Sequence, residues 1–558
     1  MPKVISLQTS FNSGVLDPRL ASRTDLKHFY QGAEEATNVI TMPQGGVKRR
    51  PGFKYVATIN AEARLASFAF NVEQTYLMVF TNLSVAIYKD GAHQADVTTP
   101  YTTAQLFELQ WTQSADTMIL VHEDHAPRKL VRGGSHSSWT LSTITLSNVP
   151  QFDFGSGAED VWSGTRGYPK SATFYQSRLW FGGSLQRPQT IWGSKTNDFF
   201  NFDDGTSLDD EGIDVTLDTD QVNAITAVYA GRHLNIFTTG GEFSIQDSPI
   251  TPAKVAVRRE TLFGSTSIPP KMIDGSVIYI DRTGKSVREF LFSYNEDAYT
   301  SGTVSLLASH LLNSPVDMDV SKGTSSDDAN YLYFVNGDGT MAVFNTLRAQ
   351  EVSGWTKWET TGEVESVSVV VDEVYVIVKR TIDSSTVRYL EQLDVDSYTD
   401  ANKIVTLGSP GTSVTGLAHL NGEACRVRAD GAIRDNATPS GGSITLTEDG
   451  TVVEVGLNYT SSIKTMPVNM DFEDGPTLTR RKRIIKVVPN LYESLGISIN
   501  GDRFIDRNFG MTLGSAPTPF TGIREMYLLG WTDLAQVEIT QTDPTPMTLL
   551  GLGVEVEV

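Results

Sequence analysis

Two features of the sequence predict an all-β protein. Short runs of aromatic and β-branched residues recur along the chain, and Gly, Asn, Asp and Ser turns separate them. Seven apolar runs start 41, 62, 55, 43, 54 and 43 residues apart, at 76–80, 117–121, 179–183, 234–238, 277–281, 331–335 and 374–378. A hairpin that recurs every ~40–60 residues is typical of four-stranded propeller blades. Residues 61–395 are therefore predicted to form a β-propeller of about seven blades.

Hairpin turns after the apolar runs support this prediction. Residues 79–88, 236–245 and 334–344 each contain a run, a short polar turn and a second strand. A stack of β-sandwiches would show the same local pattern, so it remains the alternative for this region.

An N-terminal assembly segment, residues 1–60, carries the clearest helix pattern in the chain. Ser22 or Thr24 can cap a turn, and apolar residues follow at helical spacing from Asp25 to Ala33. One helix is therefore expected here, and it should end before Asn38.

A stiff turn follows at residues 43–52. Its glycines permit positive φ and its prolines forbid a continuing helix, so the chain must turn tightly there. Arg49 and Arg50 are expected to form an exposed basic edge that contributes to assembly. The plain alternative is a surface loop that joins the helix to a strand.

The repeat is lost beyond residue 395. Short strands are expected at 404–407, 425–429, 443–446, 452–457, 484–488 and 549–558. Their alternation suits a β-sandwich-like platform domain over residues 396–558. Gly and Pro within residues 408–416 predict a hinge or loop between this domain and the propeller.

Composition excludes several classes of protein. The formal charge is −21 with a pI near 4.8 and no basic stripe, so a protein that grips nucleic acid by neutralising phosphates is a poor match. Cys425 is the single cysteine, so no internal disulfide can form. The first eight residues lack the apolar core of a secretory signal, and no apolar run reaches the ~18 residues that span a bilayer. We expect synthesis in the cytoplasm and no membrane insertion.

Groups of acidic residues are the main candidates for catalysis. Two carboxylates can hydrolyse glycosides when they lie ~5–9.5 Å apart, but these groups lie among Gly, Ser or Thr, where a solvated turn is expected. We therefore predict no enzyme activity and no cofactor. The groups are Asp203 with Asp204, Asp209 with Asp210 and Glu211, Asp327 with Asp328, and Asp471 with Glu473 and Asp474.

His122 and His125 superficially resemble a metal site. They follow a predicted strand and precede Ala126 and Pro127, so no helix presents them together as in a helical zinc site. A surface turn is expected instead, and no metal site is predicted.

The strongest basic run precedes the apolar strand at 484–488. It consists of Arg480, Arg481, Lys482 and Arg483. Successive side chains of a strand point to opposite faces, so these four cannot all face one surface. They form either a solvated strand end or a bridge to an acidic face of a neighbouring subunit.

Several stretches along the chain together resemble one family. They include FNSGVLDPRL at 11–20, PQGGVKRRPG at 43–52, YQSRLWFGG at 175–183, RPQTIW at 187–192, GLAHLNG at 416–422 and QTDPTPMTLLG at 541–551. The pattern is similar to that of the tail nozzle proteins, or tail tubular proteins B, of short-tailed bacteriophages. Val15, Leu16 and Asp17 stand where the family usually has Glu-Leu-Ser. The stretches span nearly the whole chain, which favours full-length homology over one borrowed domain.

The resemblance implies a virion component that is assembled in the host cytoplasm and forms a hexameric tube with a propeller in each subunit. Such a tube joins an adaptor protein below the portal, helps to hold the tail fibres and conducts genomic double-stranded DNA during ejection without binding it tightly. Asp203, Asp204, Asp209, Asp210 and Glu211 are then candidates for a loop that faces the lumen.

Two other functions remain open on the sequence. A monomeric propeller that binds a cell-surface glycan requires an aromatic-lined pocket and no large subunit interface. A propeller glycosidase requires carboxylates that converge in the mouth of the propeller.

Overall fold

The structure, a computed structural model, describes residues 3–323, 329–469, 471–472, 475–477, 480–507, 510 and 514–558. The protein is nearly all β, with 54% strand and 3% helix. Short 3₁₀ helices lie at Pro18–Leu20, Phe29–Gln31, Thr103–Gln105, Ser309–Leu311, Arg348–Gln350 and Ala418–Leu420.

The N-terminal segment consists mainly of strands. These are β1 (Lys3–Gln8), β2 (Gly14–Val15), β3 (Gly32–Thr37), β4 (Val39–Thr41), β5 (Val47–Arg49) and β6 (Gly52–Ile59). The helix expected from Asp25 to Ala33 is not formed, because turns and one 3₁₀ helix occupy residues 21–31 and β3 starts at Gly32. A Cβ at Gly32 would lie 2.5 Å from a Leu16 methyl carbon, so the backbone of β3 packs too closely for a helix to replace it. Sheet pairing has overridden the local helical pattern.

Residues 64–394, together with β6, form seven successive antiparallel groups of four strands, which we call modules. Modules 1 to 5 are separate sheets, whereas modules 6 and 7 are the ends of a ten-stranded and an eight-stranded sheet. Module 1 contains β7 (Arg64–Ala69), β8 (Thr75–Thr81), β9 (Ser84–Lys89) and β10 (Ala92–Thr98), and module 2 contains β11 (Gln110–Ser114), β12 (Thr117–His122), β13 (His125–Arg132) and β14 (Trp139–Thr143). After the hairpin of β15 (Gln151–Asp153) and β16 (Ala158–Asp160), module 3 contains β17 (Ser171–Tyr175), β18 (Arg178–Gly182), β19 (Thr190–Gly193) and β20 (Ile213–Thr216).

Module 4 contains β21 (Ile225–Ala230), β22 (Leu234–Thr238), β23 (Glu242–Ile245) and β24 (Val257–Thr261), and module 5 contains β25 (Lys271–Ile273), β26 (Ser276–Ile280), β27 (Val287–Ser293) and β28 (Ala298–Thr303). Module 6 contains β29 (Pro315–Ser321), β30 (Asn330–Asn336), β31 (Met341–Leu347) and β32 (Val352–Trp358). Module 7 combines β33 (Glu363–Val370), β34 (Glu373–Ile382) and β35 (Ser385–Asp394) with β6.

The seven predicted apolar runs are confirmed as strands, and each overlaps the second strand of its module. The reason is burial: β18, β22 and β26 are buried at every position. A strand covered on both faces has no solvent side, so it reads as a continuous apolar run.

Module 7 is completed by a strand from the start of the chain. β6 pairs antiparallel with β35, from Gly52 opposite Asp394 to Ile59 opposite Arg388. A Cβ at Gly52 would lie 2.1 Å from the carbonyl oxygen of Thr399, so β6 begins where only glycine fits.

The remaining strands are β36 (Asp400–Thr415), β37 (Arg426–Ala429), β38 (Ala432–Ile433), β39 (Ser443–Leu457), β40 (Ser461–Thr465), β41 (Asp471–Phe472), β42 (Gly475–Pro476), β43 (Arg483–Ser494), β44 (Ser498–Ile499), β45 (Asp502–Arg503), β46 (Phe520–Ile523), β47 (Met526–Tyr527), β48 (Glu538–Gln541) and β49 (Thr548–Glu557). The hinge expected at residues 408–416 is wrong, because residues 408–415 belong to β36 and pair irregularly with β39. The register of the pairing between β36 and β39 shifts at these positions, and this accommodates the Gly and Pro residues.

Strands from both ends of the chain share one core, and we call residues 3–49 with 461–557 the terminal body. One sheet joins β1, β4 and β5 to β49, β43, β46 and β47, and a second joins β2 and β3 to β40, β48, β44 and β45. Phe11 and Val39 from the N-terminal strands pack in the same cluster as Ile463, Val487 and Leu549. The N-terminal segment is therefore an integral part of the terminal body.

Candidate functional site

One cavity lies where the seven modules meet. It has a volume of about 240 Å³, and the first strand of every module lines it. Side chains alternate along a strand, so each first strand directs every second residue toward this space. The polar lining includes Arg64, Gln110, Thr173, Tyr229, Lys271, Asp317 and Ser368, one from each module in order. We call this space the central cavity.

Two carboxylates of β29 fasten module 6 to module 7. Asp317 accepts hydrogen bonds from the Ser366 hydroxyl at 2.6 Å and from the backbone N–H of Val367 at 3.2 Å. Asp319 accepts a hydrogen bond from the N–H of Val369 at 2.8 Å. Burial raises the pKa of Asp317, and the charge of Arg64 and these hydrogen bonds oppose the shift only in part. Both carboxylates are engaged in the contact between two modules.

Similar contacts continue around the cavity. The Ser366 hydroxyl accepts a hydrogen bond from the N–H of Leu65 at 3.0 Å, which joins module 7 to module 1. The Gln113 amide of module 2 bonds the N–H and C=O of Ala69 in module 1 at 3.1 and 2.8 Å. The first strand of each module is a sheet edge, so its free backbone groups require partners of this kind.

Lys271 links modules 5 and 6. Its ammonium nitrogen lies 2.9 Å from an oxygen of Asp319. Burial disfavours the charged form of Lys271, but the charge of Asp319 outweighs it and the pKa of Lys271 is raised. Lys271 therefore keeps its charge in this ion pair.

Arg64 differs from the other charged groups of the cavity. Nη1 donates to the carbonyl oxygens of Leu106 at 2.9 Å and Leu109 at 2.6 Å, and the guanidinium carbon lies 4.9 Å from the Trp111 ring centre. Nε is buried and has no hydrogen-bond partner among the described residues. Burial lowers the pKa of Arg64, and the charge of Asp317 offsets this only in part.

Acidic side chains also line two further pockets, of about 320 and 630 Å³, which share Thr266 and Ser267. A glycosidase requires two carboxylates that are free to contact a substrate, whereas the carboxylates here have cationic or imidazole partners. Glu363 pairs with Lys379, Glu62 and Glu365 pair with Arg388, Glu123 pairs with Lys170, and Glu108 contacts His122.

His122 ends β12 and His125 begins β13. The two strands form a hairpin, so the predicted turn between them is confirmed. The expectation of a surface position is wrong for His122, whose side chain is 1% exposed. Its Nδ1 accepts a hydrogen bond from the N–H of Asp124, and Nε2 lies 3.1 Å from Glu108. Burial and the neighbouring His122 lower the pKa of His125.

Arg49 and Arg50 do not form the exposed basic edge that the sequence predicts, because both are buried. Arg50 makes a bidentate ion pair with Asp400 at 2.8 and 2.6 Å, and its guanidinium lies 3.7 Å from the Tyr459 ring centre. Arg49 donates to the carbonyl oxygens of Tyr459 and Gln541, at 3.0 Å in each case. Both residues hold the turn at 43–52 against the C-terminal strands.

The side chains from Arg480 to Arg483 do not form one exposed basic patch. Lys482 is buried and donates to the side-chain oxygen of Asn469 at 3.0 Å, and burial lowers its pKa. Arg481 is 72% exposed and lies 3.7 Å from Asp533. Arg480 and Arg483 are half-buried, and Arg483 lies 4.0 Å from Glu557 on β49. The bridge to a neighbouring subunit stays a prediction, and Arg481 is the most accessible residue for it.

The acidic loop at residues 203–211 connects β19 to β20, the third and fourth strands of module 3. Glu211 is buried and accepts hydrogen bonds from the N–H groups of Thr206 and Leu208, whereas Asp204, Asp209 and Asp210 are exposed. Asp203 is half-buried, 3.7 Å from Lys195. Because the loop joins outer strands, it lies away from the first strands that line the central cavity. Its position in a lumen between subunits stays a prediction.

The outer face of the terminal body is the side of the β1–β49–β43 sheet turned away from the core. On this face Ile5 lies opposite Glu555, which in turn lies opposite Lys486 and then Tyr527. Ile5, Leu7, Ile523 and Tyr527 are 73%, 66%, 65% and 67% exposed. In the described part of the chain, β1 pairs with β49 alone, so its second edge is open. Large apolar side chains grouped on an open sheet edge are unusual on a monomer.

Two acidic groups of the sequence remain. Residues 327–328 and 473–474 of these groups lie outside the described residues. Cys425 is buried with a free thiol, and burial raises its pKa to about 12.

In the described ranges, no cluster of three or more His, Cys, Asp or Glu side chains is arranged to hold a metal ion. Over the same ranges, no helix has the length and apolar character needed to cross a membrane.

Comparisons with known proteins add a likeness of fold only. No family model matches the chain, and no curated protein matches it. Similar solved structures include BBS1N in complex with ARL6DN, soaked with mercury, with 8% identity over 62% of this chain and 98% of that chain and a TM-score of 0.35. The RRP9 WD40 repeats have 8% identity over 62% and 99% of the two chains and a TM-score of 0.37. U3-55K has 8% identity over 61% and 99% and a TM-score of 0.37. At these scores the likeness carries no argument about this protein.

Proposed function

We propose that the seven modules are the blades of one seven-bladed β-propeller and that the terminal body is its β-sandwich-like platform. Seven successive first strands line one cavity, which is the geometry of blades around an axis. β6 completes module 7 and leads directly into module 1, so one continuous segment joins the last blade to the first. The alternative of separate stacked sandwiches does not account for a cavity shared by all seven modules.

We further propose that the protein is a structural nozzle of a bacteriophage tail, built as a hexameric ring and without enzyme activity. The observation that carries this proposal is the outer face of the terminal body, where exposed apolar side chains accompany an open strand edge. The occupant that we assign to this face is a second copy of the chain. The resemblance of the sequence to tail nozzle proteins supports the same assignment.

The chemistry of the outer face suits contact between identical subunits. Lys3, Lys486, Glu525 and Glu555 of this sheet provide both signs of charge within a few residues of Ile5. A cyclic ring brings this face against a different face of the next subunit, and mixed charge fixes the register of such a contact. Apolar area supplies the free energy of association.

The absence of catalysis is supported by how the carboxylates of the cavity are used. Asp317 and Asp319 accept hydrogen bonds from backbone N–H groups of module 7, and Glu363 and Glu365, which line a further pocket, are paired with cations. A general acid or nucleophile must be free to contact a substrate. The partners that we propose are five further copies, the tail adaptor, tail fibres and genomic double-stranded DNA that passes through the ring.

Assembly of the purified protein tests this function. We expect rings in negative-stain images, and a hexamer by mass photometry, either alone or after addition of the adaptor. The double variant Ile5→Asp, Leu7→Asp should remain folded but lose ring formation, because two carboxylates would replace apolar contacts at the interface.

The control is Val72→Asp, at an 86% exposed position in the turn between β7 and β8. This variant should assemble like the natural protein. Rings formed equally well by the double variant, or turnover of cell-surface glycans by the purified chain, would contradict the proposal.

A further inference from the structure

The sheet that carries the outer face of the terminal body has two open edges. It crosses from β1 through β49 and β43 to β46 and β47. Among the described residues, β1 pairs with β49 alone, and β46 and β47 pair with β43 alone. The free edge of such a strand presents unpaired N–H and C=O groups, which readily pair with a further strand. One sheet in each chain thus offers two places where another strand can add.

The β1 edge lacks the features that usually prevent such pairing. β1 pairs with β49 in regular register from Lys3 to Gln8, without a bulge and without proline. Val4, Ser6 and Gln8, which point away from the outer face, carry no charge. Natural proteins ordinarily guard an exposed edge with a bulge, a proline or inward-pointing charges. A regular edge of six residues without these features is suited to a partner strand.

The directions of the strands allow the two edges to pair with each other. β1 is antiparallel to β49, β49 to β43, and β43 to both β46 and β47. β1 is therefore also antiparallel to β46 and β47. Rotation about an axis that runs roughly along the strands preserves these directions, so β1 of one subunit meets β46 and β47 of the next in antiparallel orientation. A contact between two different edges is heterologous, and such contacts close into rings.

Side chains on the outer face of the two edges match in one register. Within the chain, Ile5 lies in the row of residues that ends at Tyr527, so a stagger of four residues places Ile5 opposite Ile523 and Lys3 opposite Glu525. Closed sheets require a stagger of this kind. Lys3 and Glu525 are each the more exposed member of an ion pair within the chain, with side chains 61% and 50% exposed. Apolar pairs and opposite charges on facing strands stabilise a sheet.

We propose that β1 of each chain pairs antiparallel with β46 and β47 of the next chain, so that one sheet continues from subunit to subunit around the ring. The inference rests on the ring proposed above and identifies the edge of the neighbour that meets β1. Ile5 lies opposite Ile523 of the next chain, and Lys3 lies opposite Glu525. Backbone hydrogen bonds hold the two edges together, and the alternation of side chains sets the register.

A pair of introduced cysteines tests this contact, because Cys425, the single natural cysteine, is buried. Opposite Cα atoms of antiparallel strands lie ~4.5–5.5 Å apart, which suits a disulfide. We expect the variant Ile5→Cys, Ile523→Cys, assembled with the adaptor where required and then oxidised, to give a ladder of crosslinked chains up to the hexamer on a non-reducing denaturing gel. Within one chain the two positions are three strand spacings apart, ~14 Å, so an internal disulfide cannot form.

Two control variants establish which edges meet. Ile5→Cys alone should give no crosslink, because the neighbour presents no thiol opposite it. The variant Ile5→Cys, Val72→Cys should also give none, because its second thiol lies in module 1, in the turn between β7 and β8. Dimers from Ile5→Cys alone would mean that β1 pairs with β1 about a two-fold axis, and this result would overturn the proposal.

The same gel separates this inference from the proposed function. Rings of the variant Ile5→Cys, Ile523→Cys that form but do not crosslink would overturn the pairing of edges and leave the ring in place. Chains that remain monomeric and uncrosslinked, even with the adaptor, would overturn both proposals.

An exchange of charge provides a second measurement. Lys3→Glu and Glu525→Lys should each raise the protein concentration needed for half-maximal assembly by ~threefold or more, because like charges would then face each other between subunits. The combined variant Lys3→Glu, Glu525→Lys should assemble better than either single variant. The two residues lie at opposite edges of the sheet in one chain, so contacts within the chain cannot produce this rescue. A combined variant that assembles no better than the single variants would overturn the assigned register.

Discussion

Buried arginines hold distant parts of this chain together. Arg50 reaches Asp400, 350 positions away, and Arg49 reaches the carbonyl of Gln541. A guanidinium offers five donors in one plane, so a single side chain can satisfy several buried carbonyl or carboxylate groups. The charge is tolerated where a carboxylate faces it, as Asp400 faces Arg50.

Removal of Arg50 should show how much its ion pair with Asp400 contributes to the stability of the fold. Burial disfavours ionisation of Asp400, but Arg50 outweighs it and holds the pKa of Asp400 below its usual range. Arg50→Met leaves that carboxylate buried without a cation, so we expect the free energy of unfolding to fall by ~3–5 kcal/mol. Urea denaturation at pH 7 measures the change.

The matched control for this prediction is Arg23→Met. Arg23 forms a similar two-point pair with Asp25, but both side chains are more than half exposed, so the loss of stability should be much smaller than for Arg50→Met. Equal losses in the two variants would refute the role of Arg50.

His419 should make stability depend on pH. Burial, with the ring stacked on Tyr55, lowers its pKa to about 4, and the hydrogen bond that Nε2 donates to the carbonyl of Ala401 opposes this shift only in part. The folded protein therefore binds fewer protons than the unfolded chain between pH 6.5 and 4. The contribution of the neutral His419 ring to the stability of the fold is complete above pH 6.5 and is lost as the pH falls through this window.

The expected loss for His419 between pH 7 and pH 5 is ~2 kcal/mol. The carboxylates contribute equally to the natural protein and to His419→Gln, so the difference between their pH profiles isolates the imidazole. Urea denaturation at both pH values gives these profiles. Profiles that coincide would disprove the prediction, and His93→Gln, at a 46% exposed position, serves as the control.

Among the elements, the second strand of each module is the easiest to predict and the first strand the hardest. β22 is buried at every position and reads as a plain apolar run. β29 alternates Asp317 and Asp319 with apolar residues, because one of its faces borders the polar central cavity. Acids in such a pattern resemble a solvated edge, so the cavity residues, Arg64 and Lys271 included, could not be recognised from the sequence. Polar side chains that alternate with apolar ones near the start of each recurring unit are the signal that could have found them.

The closing strand β6 makes a further prediction possible. Gly52→Ala should destabilise the protein by ~1–3 kcal/mol, because the added Cβ would lie 2.1 Å from the carbonyl oxygen of Thr399 and the strand must shift. Thermal unfolding measures the loss. Gly302→Ala in β28 is the control, since a Cβ there meets no atom within 4 Å, and its effect should be within ~0.5 kcal/mol.

Predictions for regions that bring both ends of the chain together were less successful than those for the modules. Helical spacing at residues 25–33 and the apparent hinge at 408–416 are local patterns, whereas β3 and β36 form through partners hundreds of residues away or across an irregular register. Arg49 was expected on the surface for the same reason. Local propensity is a weak guide where long-range pairing decides the structure.

At the scale of the whole molecule, deletion of residues 1–50 should abolish the folded terminal body. β1 to β5 pair with C-terminal strands, and their apolar side chains fill the same core. We expect insoluble protein, or rapid proteolysis of the C-terminal strands, in limited digestion. A soluble, protease-resistant remainder that fails only in assembly would show instead that the segment is needed for contacts between subunits alone.

The net charge leads to a prediction for the assembled ring. Six chains at −21 give about −126 formal charges, so a lumen with the same sign repels DNA, over a range of ~8 Å at physiological salt. Assembled rings titrated with double-stranded DNA at ~0.15 M salt should show no tight binding. Submicromolar affinity that weakens steeply with added salt would mean that basic groups line the path.

The position of β6 also bears on how the protein forms during synthesis. β6 leaves the ribosome first, but its partner β35 follows more than 300 residues later, which takes roughly 15–60 s at ~5–20 residues per second. Through that interval the nascent chain carries an unpaired strand edge beside finished modules. Crowded polysomes translating this message would therefore bring many such edges close together, and pairing between neighbouring nascent chains is the misfolding hazard to which this architecture is most exposed.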